Sequence, residues 1–564
     1  MKKSATRSAH TFAIVSMGAG FVAWASLFIY RSSFIGIDGK RYFCLFDDAM
    51  ISMRYAWNLS HGFGLVWNPG EYVEGYTNLL MTLLMSLATL VFDKVDAVLT
   101  IQVLGAFCIL ANAYLVMLIA DQLVSRQERY RKLFLTLAFL CALSYYPLAY
   151  WSLMGMETGL VAVLLSLSVL SALRYTKNRR PAQGILISVS LGLAFLTRPD
   201  ALILIVPVFG YTFYAALKSE RSARGLSFLF GMIGLYALFV VGHELFRWGY
   251  YGEWLPNTYT LRVSGIPLSV RIVNGIGFIA RFVSEVYVLL TVAAAGIVFA
   301  FRRDKLFLAS VFVVLICYQV WAGGDPWDYW RMLSPAVPLV LVLGAHAIFR
   351  ALESISDTEG FRRYFLSAPI LRRRHTQGVL ACLLVLALLW SPNSRFLPEI
   401  ALLGMPYDAE NNVLRVNSAL AIEQVTTPDA TVGVFGAGAI PYYSGRSAID
   451  FLGKADRHIA GLTATLPDLR GVKRFSSYRP GHNKFDLEYS IKELKPTYVE
   501  GFWVEEQNVV DWARSEYVMV EYGGMPLYLR ESSGDVRWDA VGKDREEVSD
   551  LWAWSRCSLR CWPQ

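Results

Sequence analysis

Two adjacent carboxylates, Asp47 and Asp48, stand in CLFDDAMISMRYAWNLSHG just beyond the first apolar stretch, and Arg54 follows about two helical turns later. Carboxylates so placed at a membrane surface suit a general base: one takes the proton of an acceptor hydroxyl while the other orients it or holds a cation. The plainer use is an acidic N-cap on an interfacial helix. Other charged residues stand alone in loops between apolar runs: Glu74 in the first loop, Glu157 in MGMETG, Arg198 and Asp200 in TRPD, and Asp325 and Arg331 in AGGDPWDYWR. Arg54, Arg198 and Arg331 each sit beside motif carboxylates and could bind a phosphate, which a forked guanidinium does better than an ammonium. Each also reads as an interfacial arginine, and Asp200 and Asp325 as structural partners of their neighbouring arginines. Further on, AIDFLGKADRHIA and YRPGHNKFD hold Asp450, His458, His482 and Lys484, of which the imidazole and ammonium groups could reach a phosphate or a polar acceptor. Trp67, Tyr76, Trp321, Trp327, Tyr329 and Trp330 suit either stacking on sugar faces or anchoring at the membrane interface.

The elements that must position these residues are membrane helices. Of 564 residues 55% are hydrophobic and 17% charged, with a mean hydropathy of +0.39, which excludes an ordinary soluble protein. A spanning helix needs roughly 20 apolar residues. Runs of that kind fall near 11–30, 96–120, 133–150, 159–174, 182–197, 200–217, 225–243, 285–301, 306–321, 333–349 and 376–391, eleven in all. The run at 79–92 is short and fits an interfacial helix instead. MKKSATR and the apolar stretch after it resemble a signal peptide without an A-x-A-like site, which makes an uncleaved first helix. With an inside N-terminus, SRQERYRK, RYTKNRR, KSERSAR, FRRDK and the RRRH segment at 350–375 all fall inside, as the positive-inside rule requires. The acidic, aromatic and Gly/Pro-rich loops then fall outside. The net charge of +8 follows from this topology and needs no nucleic acid partner. Residues 1–391 form the membrane part, with a first outside loop at 31–95, and 392–564 are long enough for one outer α/β domain. Cys108, Cys141, Cys317 and Cys382 read as small core residues, while Cys557 and Cys561 either pair or remain free thiols.

The string DDAMISMRYAWNLSHGFGLVWNPGEYVEGYTN, followed by GMETG, TRPD, PNTY, GGD with a later Arg, a distal D-x-x-G and PGHNK, resembles bacterial GT-C-fold membrane glycosyltransferases. Among these it is most similar to the terminal arabinofuranosyltransferases of mycobacterial cell walls. The resemblance implies a polyprenyl-phosphate sugar donor, with arabinofuranose as one candidate sugar, and an envelope glycan, lipid or protein as acceptor. It also implies transfer on the outer face of the bacterial cytoplasmic membrane, usually with inversion, and a catalytic Asp in the first outside loop, here Asp47 or Asp48 with Asp47 favoured. No cofactor is required, although some of these enzymes use a divalent cation, so metal dependence stays open. A transporter or flippase of lipid-linked sugars is the alternative, but it calls for an internal repeat and broken helices near the midplane, which the sequence does not show clearly. Zinc-ligand spacing, a GxSxG elbow and a P-loop are all missing.

Overall fold

The computed structural model describes residues 2–125, 128–219, 223–327, 329–357, 374–466, 478–502 and 506–541. The chain opens with α1 (Lys2–Ser32), a short hairpin of β1 (Phe34–Ile35) and β2 (Arg41–Tyr42), α2 (Asp47–Ser60) and α3 (Leu79–Val91). The helices α4 (Lys94–Leu123), α5 (Arg131–Leu143), α6 (Tyr146–Leu153), α7 (Thr158–Asn178), α8 (Pro181–Thr197), α9 (Ile205–Ser219) and α10 (Ala223–Tyr251) follow. After a short α11 (Asn257–Arg262) the bundle ends with α12 (Leu268–Phe299), α13 (Arg303–Ala322), α14 (Val337–Asp357) and α15 (Arg374–Trp390).

Each of the eleven expected apolar runs is helical, yet only eight helices among the described residues have the length and composition to cross a membrane, or nine if a bent pair counts as one. The difference is physical. The run at 133–150 breaks into α5 and α6, which meet at 49°, where Pro147 opens α6. With 17 residues, α8 reaches about 25 Å, short of a ~30 Å hydrocarbon core, and the next segment begins as a 3-10 turn at Pro199. The 13-residue α3 is shorter still. Close crossings hold the bundle: a Cβ on Gly105 of α4 would lie 2.0 Å from the Ser152 carbonyl oxygen of α6, so only glycine permits that approach. Cys108 and Cys141 are buried and Cys317 is exposed on the helix surface. Cys557 and Cys561 lie outside the described residues.

Contacts gather three of the basic loops, those near 125–132, 174–180 and 301–305, at one end. Lys177 donates to the Gln122 carbonyl at 3.0 Å, Tyr211 to Asp304 at 2.7 Å, and Arg302 to the Leu123 carbonyl at 2.5 Å, while His10 meets Thr136 at 2.9 Å. At the opposite end sits a five-stranded mixed sheet, in the order β4-β3-β5-β7-β6, of β3 (Thr431–Val434), β4 (Ser447–Asp450), β5 (Tyr498–Val499), β6 (Tyr517–Tyr522) and β7 (Met525–Arg530). In it β3 pairs in parallel with both β4 and β5, while β6 and β7 form a hairpin whose turn glycines, Gly523 and Gly524, have φ of +59° and +77°. The parallel register Val434↔Asp450 brings the carboxyl ends of β3 and β4 side by side, so the loops after them leave at one edge, the edge that meets the first loop. That edge is clamped down: Trp67 Nε1 donates to the Ala437 carbonyl at 3.1 Å and Asn68 to the Ala448 carbonyl at 2.8 Å.

Candidate active site

A cavity of about 190 Å³ opens where α2, the turn before α7, the end of α8, α11, the segment after α13 and two turns of the sheet domain converge. Asp48 is in its wall. As the second residue of α2 it projects inward, and Arg331 Nη1 meets its Oδ2 at 3.0 Å while Lys454 Nζ bonds its Oδ1. Burial alone would push the Asp48 carboxyl up, but Lys454 and Arg331 outweigh it and hold the group well below the usual carboxylate range. The same contacts keep the Lys454 ammonium above its ordinary value despite burial.

Arg331 forks between Asp48 and Asp325, the latter at 3.0 Å from Nη2, and its guanidinium lies 5.5 Å from the Trp151 ring centroid. It follows Trp330, whose φ of +54° is strained for a bulky residue and whose indole is held by Glu285 at 2.7 Å. Arg262 approaches the same Asp325 oxygen at 3.6 Å. On the other wall Arg198 grips Asp200 through Nε at 2.9 Å and Nη2 at 3.1 Å, and meets Glu157 at 2.5 Å. Glu157 in turn accepts from Asn78 at 3.2 Å, which accepts from Ser52 at 2.8 Å. Within this network the Nε–H groups of Arg262 and Arg331 and Asp325 Oδ2 are buried without a partner among the described residues. The positive charge of these guanidinium groups at the cavity wall is suited to an anionic ligand. The His482 ring stands edge-on to Trp327, and burial, with Lys454 next, lowers its pKa to about 3.

Of the residues read from the sequence, Asp48, Glu157, Arg198, Asp200, Arg331 and His482 line this cavity, and Asp325 supports it from behind. The others lie elsewhere. Asp47 turns the opposite way, because successive helical residues point about 100° apart, and accepts the Ala439 N–H at 3.0 Å. Arg54 is spent on the Trp67, Pro441 and Arg446 carbonyls and the Asn68 side chain, a clamp between first loop and sheet domain. Glu74 pairs with buried Arg247 of α10. Lys484 donates to the Thr260 and Ala460 carbonyls at 3.0 and 2.7 Å. Asp450 caps the N–H groups of Leu452, Gly453 and Ala455, and half-exposed His458 faces Asp486 at 3.8 Å. Of the six aromatics only Tyr76 reaches the cavity. Sequence reasoning passed over Lys454, Arg262 and Asn257, although PNTY and GKAD were in view. Among the described residues no three His, Cys, Asp or Glu side chains converge as a metal site, and both Asp48 oxygens face cationic nitrogens, a poor fit to a divalent cation.

Residues 404–541 match a family described as a domain of unknown function (DUF8728). No curated protein matches the sequence. Among solved structures, the oligosaccharyltransferase AglB from Archaeoglobus fulgidus, in complex with an inhibitory peptide and a dolichol-phosphate, is similar with a TM-score of 0.51 and 13% identity over 93% of this chain and 75% of that one. ArnT from Cupriavidus metallidurans bound to undecaprenyl phosphate is similar with a TM-score of 0.50 and 12% identity over 94% of this chain and 98% of that one. At these identities the likeness shows the fold alone: this is a multi-pass membrane protein of GT-C architecture with a C-terminal sheet domain.

Proposed function

We propose that this protein is a membrane glycosyltransferase that moves a sugar from a polyprenyl-phosphate carrier to a hydroxyl acceptor at the membrane surface. The observation that carries the reading is the cavity itself: a partly buried carboxylate, Asp48, among Arg331, Arg262 and Arg198. The two solved proteins of the same fold are described with a dolichol-phosphate and with undecaprenyl phosphate, which supports the same class of carrier here.

In this mechanism the arginines bind the donor phosphate and take up the charge that grows on it as the bond to the sugar breaks. The acceptor oxygen attacks the anomeric carbon, the carbon–oxygen bond to phosphate breaks with its electron pair going to the phosphate, and the hydroxyl proton passes to Asp48. A single displacement inverts the anomeric carbon. Residues 1–391 carry most of the donor site, 392–564 form part of the acceptor side, and the basic end faces the cytoplasm of a bacterial cell, so the site opens outward. An arabinofuranosyl donor and an envelope glycan, lipid or protein acceptor are the finer form of this proposal. No divalent cation takes part, its charge being supplied by Arg331 and its neighbours.

The test is turnover by purified protein with a panel of radiolabelled polyprenyl-phosphate sugars and envelope acceptors, with and without chelator. The expected result is label transfer with release of polyprenyl phosphate, equal in both arms. Passage of intact lipid-linked sugar across reconstituted vesicles, without cleavage, would instead make the protein a flippase.

A further inference from the structure

The resting geometry contains a contradiction for any mechanism that uses Asp48 as a base. Each of its oxygens carries a cation, Arg331 on one and Lys454 on the other, and although each oxygen keeps a lone pair the two charges oppose its taking up a proton. The two cations are not equivalent. Arg331 also holds Asp325 and stands on the Trp151 ring, whereas the only ion pair of Lys454 among the described residues is with Asp48. Lys454 is an ammonium on a flexible stem, able to swing where a forked guanidinium is not.

We propose, on the basis of the glycosyltransferase reading, that Lys454 is a shared cation: it neutralises Asp48 in the empty site and moves to the phosphate of the lipid donor when that binds. The move leaves Asp48 Oδ1 bare to take the acceptor proton and adds a cation where the leaving group gains charge. Donor binding and activation of the base thus become one event, and water arriving before the donor meets a weakened base.

The backbone beneath Lys454 is built for this. It lies on the turn after β4, where Asn257 of the PNTY segment points its amide at three carbonyls of that turn, those of Gly453, Lys454 and Asp456, at 2.9, 3.0 and 3.1 Å. Asp450 caps the same turn from within, and Gly75 packs on it so closely that a Cβ would lie 2.8 Å from the Lys454 carbonyl oxygen. The main chain is fixed by these bonds, while the ammonium at the end of the flexible stem is held through Asp48. Asn257 is the positioning residue, and through it the sheet domain is registered on the membrane part.

Binding separates the possibilities without needing turnover. Affinity for undecaprenyl phosphate, the product-side lipid, is measured for the full chain in detergent and for Asp48→Asn, Lys454→Met, Lys454→Arg and the Asp48→Asn/Lys454→Met double variant. The proposal expects Asp48→Asn to bind at least about tenfold tighter than the parent because Lys454 is released to the phosphate. It expects Lys454→Met to bind at least about tenfold weaker, Lys454→Arg to recover most of that loss, and the gain from Asp48→Asn to vanish in the double variant. Asp48→Asn binding no tighter than the parent overturns the shared cation even if Lys454→Met misfolds. In that case a parent that binds the lipid and transfers sugar leaves the glycosyltransferase reading standing, whereas a parent and variants that all fail to bind overturn both.

Discussion

Replacing Arg331 by Met removes the guanidinium on which one buried carboxylate, Asp325, and one partly buried carboxylate, Asp48, depend, while keeping an apolar stem against Trp151. Each pair, at 3.0 Å, carries a gross attraction of about 5 kcal/mol at an effective dielectric near 20. Desolvation of the three groups offsets most of that sum in the folded protein. Removing one partner leaves that cost standing, so Arg331→Met is expected to destabilise by about 3–5 kcal/mol, with Arg331→Lys between the two because one ammonium cannot fork to both acids. Denaturant unfolding in detergent, followed by Trp fluorescence, measures it. The pH dependence carries a sign. Asp48 has a depressed pKa in the fold, so its contribution to stability is present above the unfolded carboxyl value near ~3.9 and is lost as the pH falls below it. With Arg331 gone the depression is smaller, so the variant loses less on acidification than the parent does. An Arg331→Met protein within about 1 kcal/mol of the parent, with the same acid limb, would refute the three-way pair.

Three further outcomes follow from the geometry. A Cβ at Gly438 would lie 2.1 Å from the Asp47 carbonyl oxygen, so Gly438→Ala should undock the sheet domain, read as new protease cleavage around 391–408 and turnover lowered by about a hundredfold or more; an unchanged digestion pattern would count against this docking. Glu74→Gln should cost about 3 kcal/mol of stability through its pair with Arg247 yet leave the KM for the lipid donor unchanged, whereas a raised KM would bring Glu74 back to the substrate. His482, with its pKa lowered to about 3, stays neutral at physiological pH, while the unfolded imidazole protonates near ~6.5, so acidification through that value favours the unfolded chain. His482→Gln should therefore flatten that part of the stability curve and leave the pH–rate profile unchanged in shape.

The helical architecture was legible in the sequence because an apolar run of spanning length has few alternatives. The helix count was not, since apolarity alone does not reveal the kink at Pro147 or the short reach of α8. In the site, Glu157, Arg198, Asp200 and Arg331 stood out as isolated charges between apolar helices, where burial forces charges to meet. Arg54 after the Asp pair, Glu74 in the first loop and Lys484 in the outer domain were also read toward substrate, and the structure uses them as clamps, because a buried charge is equally suited to hold backbone carbonyls or another charge. Lys454 gave no signal: in a soluble domain a lysine after a glycine reads as surface, and only the fold brings it over Asp48. For Asp47 and Asp48 the sequence supplied the pair, but which one faced the cavity depended on the helix phase.

The most direct measurement compares sugar transfer by Asp48→Asn and Asp47→Asn under identical conditions with a polyprenyl-phosphate donor that the parent uses. Asn at either position keeps an oxygen to accept a hydrogen bond but cannot take a proton, so the account predicts that Asp48→Asn loses at least about a hundredfold in kcat while Asp47→Asn, still able to accept the Ala439 N–H, stays within about threefold of the parent. Full activity in Asp48→Asn, or its loss in Asp47→Asn alone, would contradict it.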